Sequence, residues 1–299
     1  MPELPEVTTT VKGLKKLTGE TISGVWTDLN KKNQKHKAFI NTIKDDKFYQ
    51  KFKKEIAGQK IIKVKRKAKN ILIELSNGKI ILIHLKMTGH LLYGKYIFKN
   101  NQWKPHKNEK EELHDPFNRF IHTVFSLKNG KHLVFCDARK FGKVTLIQNE
   151  KELDLGPEPL EKSFTFEKFK KQLNKKGKIK TVLMNQKVIA GIGNIYSDEI
   201  LWKAGVHPES ISKKIKNKEL KKMFIEMKEI LKKGIELQGD STSDYRNIDG
   251  EKGNFQKHHH AYRKTKDTCD KRGCSGIIKR KEVGNRNAHF CNKHQKLYV

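Results

Sequence analysis

The chain has 299 residues, enough for one to three domains with a sizeable core, and its 65 Lys and Arg against 33 Asp and Glu leave a formal net charge of +32. That excess favours a polyanionic partner, nucleic acid being the commonest, while a lysine-biased composition is the plainer explanation of the same charge. No apolar run is long enough to span a membrane, no basic-then-apolar leader opens the chain, and Cys136, Cys269, Cys274 and Cys291 are too few and too uneven for a disulfide framework, so a soluble protein of a reducing, cytoplasmic compartment is expected.

The opening stretch MPELPEV places Pro2, Glu3 and Glu6 at the terminus, where most chains simply fray. Residues 5 to 17 have Val7, Val11 and Leu14 on one helical face. Thereafter the first half reads as β. Ile71–Leu75 and Ile80–Ile83 flank Ser76-Asn77-Gly78-Lys79, and Val124–Leu127 and Leu133–Phe135 flank Lys128-Asn129-Gly130-Lys131, two turns whose Asn-Gly supplies positive φ. Such strands predict a sandwich or barrel. Residues 95 to 120 read as a polar, irregular, exposed insertion.

Between the strands lie short motifs with open readings. Met87, in His84-Leu85-Lys86-Met87-Thr88-Gly89, stands either at a loop tip or in the core. Arg139 and Phe141, in Asp137-Ala138-Arg139-Lys140-Phe141-Gly142, lie two apart on one side of the chain. They could enter a duplex as a wedge and a probe, or Phe141 could be plain core.

At Leu155-Gly156-Pro157-Glu158-Pro159-Leu160 the character changes, and helical periodicity follows over 165–175, 194–204 and 217–237. The last of these carries an apolar stripe of Leu220, Met223, Phe224, Met227, Ile230, Leu231 and Ile235. Gly191-Ile192-Gly193-Asn194 precedes the second helix. Asn194 is there either an N-cap or the start of an anion site, the latter favoured by Lys180 upstream.

The last thirty residues hold Cys269-x4-Cys274-x16-Cys291-x2-His294, two ligand pairs separated by enough chain for a β-hairpin. Three thiolates and an imidazole with no open position suit one structural Zn²⁺ per chain. His289 competes as a ligand but alternates away from Cys291 along a strand, and His258-His259-His260 has no metal-binding spacing. The hairpin presents Arg280, Lys281 and Arg286, a phosphate or groove probe.

Taken in order, MPELPEV, HLKMTG, DARKFG, LGPEPL, AGIGNIYSDEIL and the terminal FCNKHQ give the sequence a resemblance to formamidopyrimidine-DNA glycosylases, within the larger family shared with endonuclease VIII. The resemblance spans essentially the whole chain. It implies an α+β protein: an N-terminal catalytic β-sandwich (1–150), a hinge (151–162), a helix–two-turn–helix DNA-binding domain (163–260) whose loop near 240–250 covers a flipped base, and a zinc finger (261–299). It implies a monomeric base-excision enzyme acting on damaged double-stranded DNA with the damaged nucleotide flipped out, since the glycosidic carbon is inaccessible inside the stack. A nucleoid location follows if the source is bacterial.

The resemblance further implies roles for single residues. Pro2, exposed as a secondary amine by methionine removal, would be the nucleophile, with Glu3 as general acid and proton shuttle and Glu6 positioning the base or the nucleophile. Met87, Arg139 and Phe141 would fill the vacated space, Arg139 facing the orphaned base. Lys69, Asn194 and Arg286 would hold phosphates, with Lys180 beside them, and the loop bearing Tyr245 would cover the lesion. The purine branch of the family, acting on 8-oxoguanine and formamidopyrimidines, is favoured over the endonuclease VIII branch for oxidised pyrimidines. A non-catalytic damage sensor is the rival of another class, and intact Pro2, Glu3 and Lys69 argue against it. Four departures stand out: Thr8 where Glu usually follows Val7, Ala68-Lys69-Asn70 where Gly-Lys-Tyr is usual, Asn185 where Asp is usual, and a finger with x4 in its first gap and His294 as its last ligand.

Overall fold

The computed structural model describes residues 1–299, and the chain forms two units, Met1–Leu153 with Gln238–Asn254, and Asp154–Leu237 with Phe255–Val299. No helix is long and apolar enough to cross a membrane.

The first unit begins with α1 (Leu4–Leu14), whose Pro5 sits in the first turn, where a missing N–H costs nothing. Its Leu4, Val7, Val11 and Leu14 are buried. There follow β1 (Ile22–Thr27) and α2 (Asp46–Ile56), then β2 (Ile61–Lys67), β3 (Asn70–Leu75), β4 (Ile80–His84), β5 (His90–Gly94), β6 (Tyr96–Lys99), β7 (Gln102–Pro105), β8 (Ile121–Leu127), β9 (His132–Cys136) and β10 (Lys143–Ile147). Two four-stranded antiparallel sheets result, ordered β1-β8-β9-β5 and β10-β4-β3-β2. Leu91, Phe125, Leu133 and Phe135 of one sheet and Val64, Ile71, Ile73, Ile81, Ile83 and Val144 of the other share a core with α1 and with Phe52 and Ile56 of α2. This is the expected sandwich.

Both Asn-Gly hairpins close as the sequence predicts. Gly78 (φ +79°) and Gly130 (φ +77°) take the left-handed position, and the N–H of each bonds back to Leu75 and Leu127 respectively. The 95–120 segment differs from expectation. It folds as the β6–β7 hairpin plus two short 3₁₀ turns, and it buries Tyr96 and Leu113 in a second apolar cluster with Val124, Val134 and Cys136.

The second unit contains α3 (Phe166–Leu173), α4 (Ile179–Met184), α5 (Asn194–Ala204) and α6 (Asn217–Glu236), followed by the hairpin β11 (Ile278–Glu282) and β12 (Asn287–Cys291). The stripe on α6 buries Leu220, Met223, Met227, Ile230 and Leu231, and α5 packs against both α6 and β12. Gly205 ends α5 in the left-handed conformation (φ +76°), returning its N–H to Leu201 and Trp202.

The division 163–260 and 261–299 needs one change. Segment 238–254 belongs to the first unit, because Ile248 enters that core beside Gly13, where a Cβ would lie 2.7 Å from Ile248 Cγ1. The finger's β12 packs on α5.

Candidate active site and nucleic-acid interface

The amino terminus is held, not frayed. Pro2 is buried, Glu3 and Glu6 are each 1% exposed, and the two glutamates form a reciprocal capping box on α1. The Glu3 N–H donates to Glu6 Oε2 (2.7 Å), and the Asp240 N–H donates to Glu6 Oε1 (2.8 Å). The Glu6 carbonyl accepts from Thr10 Oγ1 (2.9 Å) and from the Tyr245 hydroxyl (2.9 Å). Gly239 (φ +87°) lies so close that a Cβ there would meet Glu6 Cγ at 2.8 Å. Glu6 is therefore tied on both carboxylate oxygens to backbone amides, one beside Pro2 and one in the 238–254 segment.

Tyr245, expected as a DNA contact, turns its side chain inward in this structure. Its side chain is buried and its hydroxyl is engaged with Glu6 and, at 3.4 Å, with Thr10, and burial pushes its pKa up. Arg246 is buried too, over the Phe117 ring and paired with Asp115 (3.3 Å). Of this segment, Ser243 is exposed and its immediate neighbours are half-buried, so the accessible part is shorter than 240–250.

Lys69 sits in the turn between β2 and β3, the two strands on which α1 packs. Ala68 takes φ +53° there, a conformation that costs an L-residue roughly 1–2 kcal/mol and explains why glycine is usual at this place. Opposite Asn70, at the end of β4, lies His84, which sequence reasoning passed over. Its Nδ1 accepts the Lys86 N–H (3.0 Å), which leaves Nε2 to carry the ring proton. Burial, then Lys86, Lys69 and Lys143, hold its pKa down to about 3, so the ring is a neutral donor among lysines.

Met87, Arg139 and Phe141 are brought to adjacent loops by one buried carboxylate. Asp137 Oδ1 accepts from the Thr88 hydroxyl, Oδ2 accepts from the Gly142 N–H (2.6 Å), and Thr88 Oγ1 accepts the Arg139 N–H (3.1 Å). Arg139 lies over the Phe141 ring at 4.7 Å, Phe141 is 44% exposed and Met87 is half-buried. Phe141 is thus not core. Gly89 and Gly142 both press on Phe135, where a Cβ would come within 2.6 Å and 2.3 Å of its ring.

In the second unit Gln186 braces the Gly191–Asn194 loop. Its amide donates to the Ile192 carbonyl (2.8 Å) and accepts the Gly191 N–H (2.9 Å). Gly193 caps α5, and Asn194 begins it with its Oδ1 buried and unbonded. Asn185, in place of the usual Asp, accepts the Lys187 N–H (3.0 Å) in a local turn.

Lys180 is not where sequence reasoning put it. The side chain is 0% exposed, ion-paired with Asp198, and bonded to Ser197 Oγ (3.3 Å), and Asp198 in turn accepts the His289 N–H and faces its Nδ1 (both 3.0 Å). At 0% exposure and paired with a carboxylate, Lys180 serves the structure described as one half of a buried ion pair. Lys180 instead links α4 to α5 and, through Asp198, to β12.

Cys269, Cys274, Cys291 and His294 present four donor atoms within 4.8 Å of one another, and His289 is not among them. The His294 Nε2 faces the Trp202 carbonyl at 3.0 Å, which orients Nδ1 toward the sulfurs. Gly276 and Lys293 N–H groups donate to Cys274 and Cys291 Sγ (both 3.4 Å). The set is closed and soft, and it fits a four-coordinate zinc site. At the finger's tip Gly284 (φ +61°) approaches Thr181 of α4 so closely that a Cβ would lie 2.5 Å from its Oγ1, and Arg286 is exposed just beyond.

Against known proteins, residues 1–144 match the family model described as the formamidopyrimidine-DNA glycosylase N-terminal domain, and 155–246 match the formamidopyrimidine-DNA glycosylase H2TH domain. A formamidopyrimidine-DNA glycosylase of Pelotomaculum thermopropionicum is 35% identical over 99% of this chain and 100% of its own. One from Streptococcus thermophilus is 35% identical over the same shares. Among solved structures, a Lactococcus lactis FPG mutant in complex with a Fapy-dG containing DNA superposes with a TM-score of 0.81 at 28% identity, covering 99% of this chain and 100% of that one. The Lactococcus lactis Fpg with an abasic site containing DNA gives 0.80 at 28%, covering 98% and 99%.

Proposed function

The chain belongs to the formamidopyrimidine-DNA glycosylase family, and on that footing we propose that it is a bifunctional DNA glycosylase and AP lyase that excises oxidised purines and then cuts the strand. The observation that carries this reading is the fixed amino-terminal turn: Pro2 is buried at the head of α1, and Glu3 and Glu6 are locked together beside it.

Removal of Met1 would leave Pro2 with a secondary amine, whose pKa near 8 keeps an appreciable neutral fraction at neutral pH. Its lone pair attacks the sugar C1′, the C1′–N bond to the damaged base breaks, and the base leaves with the proton that the Pro2 nitrogen sheds. Glu3 supplies a proton to the ring oxygen, which opens the sugar to an iminium at Pro2. A secondary amine gives a cationic iminium without further protonation, so the C2′ hydrogens become acidic. Loss of one expels the 3′ phosphate by β-elimination, and a second elimination expels the 5′ phosphate. Glu3 is the shuttle in these steps.

Lys69, only 4% exposed at the β2–β3 turn, and His84 would supply a cation and a neutral N–H donor for phosphates in the first unit. In the second unit Asn194 and Arg286 do the same, the latter held by the metal-braced finger. Zinc, when bound by Cys269, Cys274, Cys291 and His294, supplies folding energy and no chemistry. Arg139 and Phe141, stacked and exposed, suit the space a flipped nucleotide leaves.

Borohydride trapping on duplex DNA with 8-oxoguanine opposite cytosine tests this. A covalent adduct is expected, lost in Pro2→Gly or when Met1 is retained. No adduct with any oxidised base would sink the proposal, and adducts confined to thymine glycol or dihydrouracil would move the chain to the pyrimidine branch.

A further inference from the structure

Lys44 is a buried cation held by a backbone carbonyl and an aromatic ring. Lys44 precedes α2, outside every motif of the family resemblance, and is only 4% exposed. Its Nζ donates to the Lys140 carbonyl at 2.6 Å and lies 4.0 Å from the centre of the Phe39 ring. Its backbone is fixed as well: the Lys44 N–H donates to Thr42 Oγ1 (3.3 Å), and the Lys44 carbonyl accepts the Lys31 N–H (2.9 Å). Neighbouring Ile43 bonds to Val144 of β10 (3.1 Å).

Lys140 is the residue between Arg139 and Phe141, and it takes a left-handed conformation (φ +57°) that a lysine does not choose unaided. Its N–H bonds back to the Asp137 carbonyl (3.0 Å), so the turn is closed on one side by Asp137 and on the other by Lys44. The Asp137 carboxylate attracts the Lys44 ammonium and Lys86 repels it, while desolvation brings its pKa down to about 8. Burying an amine costs free energy unless it is hydrogen-bonded, and the partner Lys44 finds is the Lys140 carbonyl.

We infer that Lys44 is a positioning residue for recognition of the base opposite the lesion: by holding the Lys140 carbonyl it sets the left-handed turn that aims Arg139 and Phe141 together. This rests on the reading of Arg139 and Phe141 as the pair that enters the duplex. Lys44 touches no substrate and acts through the turn.

The experiment compares wild type, Lys44→Met and Lys44→Arg on duplexes carrying 8-oxoguanine opposite cytosine or adenine, with 2-aminopurine opposite an abasic-site analogue reporting unstacking. Lys44→Met removes the donor at near-constant shape. Its cytosine-over-adenine discrimination should fall about tenfold, the loss expected for one charge-assisted hydrogen bond, and the 2-aminopurine signal should shrink with it. Cleavage of a pre-formed abasic site should stay within about twofold on the same argument, because Lys44 acts on the Lys140 turn and not on the groups assigned to the chemistry.

The pH profile separates positioning from packing. Wild-type discrimination should weaken as pH rises through about 8, where Lys44 loses its charge and its attraction to Asp137. Lys44→Arg, a donor that stays charged, should keep discrimination and abolish that alkaline step. Unchanged discrimination in Lys44→Met overturns the inference, as does an alkaline step that survives in Lys44→Arg. The arginine variant decides the matter if the methionine variant fails to fold. Absence of any borohydride-trapped adduct with wild type would overturn the function itself, a result distinct from any effect of a Lys44 variant.

Discussion

Glu6 and Asp240 are joined by a 2.8 Å hydrogen bond although 234 residues separate them, and the other oxygen of the same carboxylate holds the Glu3 amide. Glu6→Gln keeps the shape but leaves one acceptor oxygen for two N–H donors. Stability should fall by about 2 kcal/mol, the scale of a charge-assisted bond, and thermal scans should show a drop of roughly 4–8 °C. Trapping should slow in parallel. Loss of trapping with an unchanged midpoint would instead make Glu6 a participant in the chemistry.

Ala68 holds φ +53° at the turn that carries Lys69. Ala68→Gly relieves this strain and should raise stability by about 1 kcal/mol, seen as a higher urea midpoint with the same m value. A lower midpoint would mean that the alanine conformation is not strained.

Lys180 and Arg286 are both basic residues of the second unit, yet one is fully buried and the other exposed. Arg286→Met should reduce the slope of log affinity against log salt by about 0.9, one phosphate contact. Lys180→Met should leave the slope alone and cost about 3–5 kcal/mol of stability by leaving the buried Asp198 carboxylate with His289 but without its lysine. Equal changes in slope would return Lys180 to the interface.

The Cys269, Cys274, Cys291 and His294 cluster should yield about one zinc per chain by elemental analysis. Chelation, or Cys274→Ala, should melt the finger and sharply weaken DNA binding. A metal-free chain with its fold and affinity intact would contradict the zinc assignment.

His84 has a folded pKa of about 3 against an ordinary 6.5, so between those values the unfolded chain binds more protons. Its contribution to stability is intact above pH 6.5 and is lost progressively as pH falls toward 3. His84→Gln should flatten the acid limb of a stability-versus-pH curve. The limb should not vanish, because burial holds His90 low as well. An unchanged limb would show that the ring is not held neutral.

What could be read from the sequence follows local physics. The hairpins at Gly78 and Gly130, the stripe of α6 and the thiol–imidazole cluster are each set by residues close in sequence, and each stands as expected. The α2 helix was missed although Asp45 caps it and Tyr49, Phe52 and Ile56 line one face, because its lysines masked the period. The burial of Lys180 and Tyr245 was not legible, for another reason. Burial of a charged or hydroxylated side chain depends on a partner far along the chain, Asp198 or Glu6, and no window of sequence contains both. The placement of 238–254 is of the same kind, since Ile248 finds its slot beside Gly13.

The return of that segment has a consequence for how the molecule can be cut. The backbone passes from one unit to the other three times, after Leu153, after Leu237 and after Asn254. A single nick at any one crossing leaves both halves tethered by the remaining two. Expression of residues 1–153 alone would omit Ile248, Tyr245 and Arg246, and with them a strap that reaches the first turn of α1. The unit bearing Pro2 is therefore not genetically separable at the boundary that a linear reading suggests: its last seventeen residues are encoded beyond most of its neighbour.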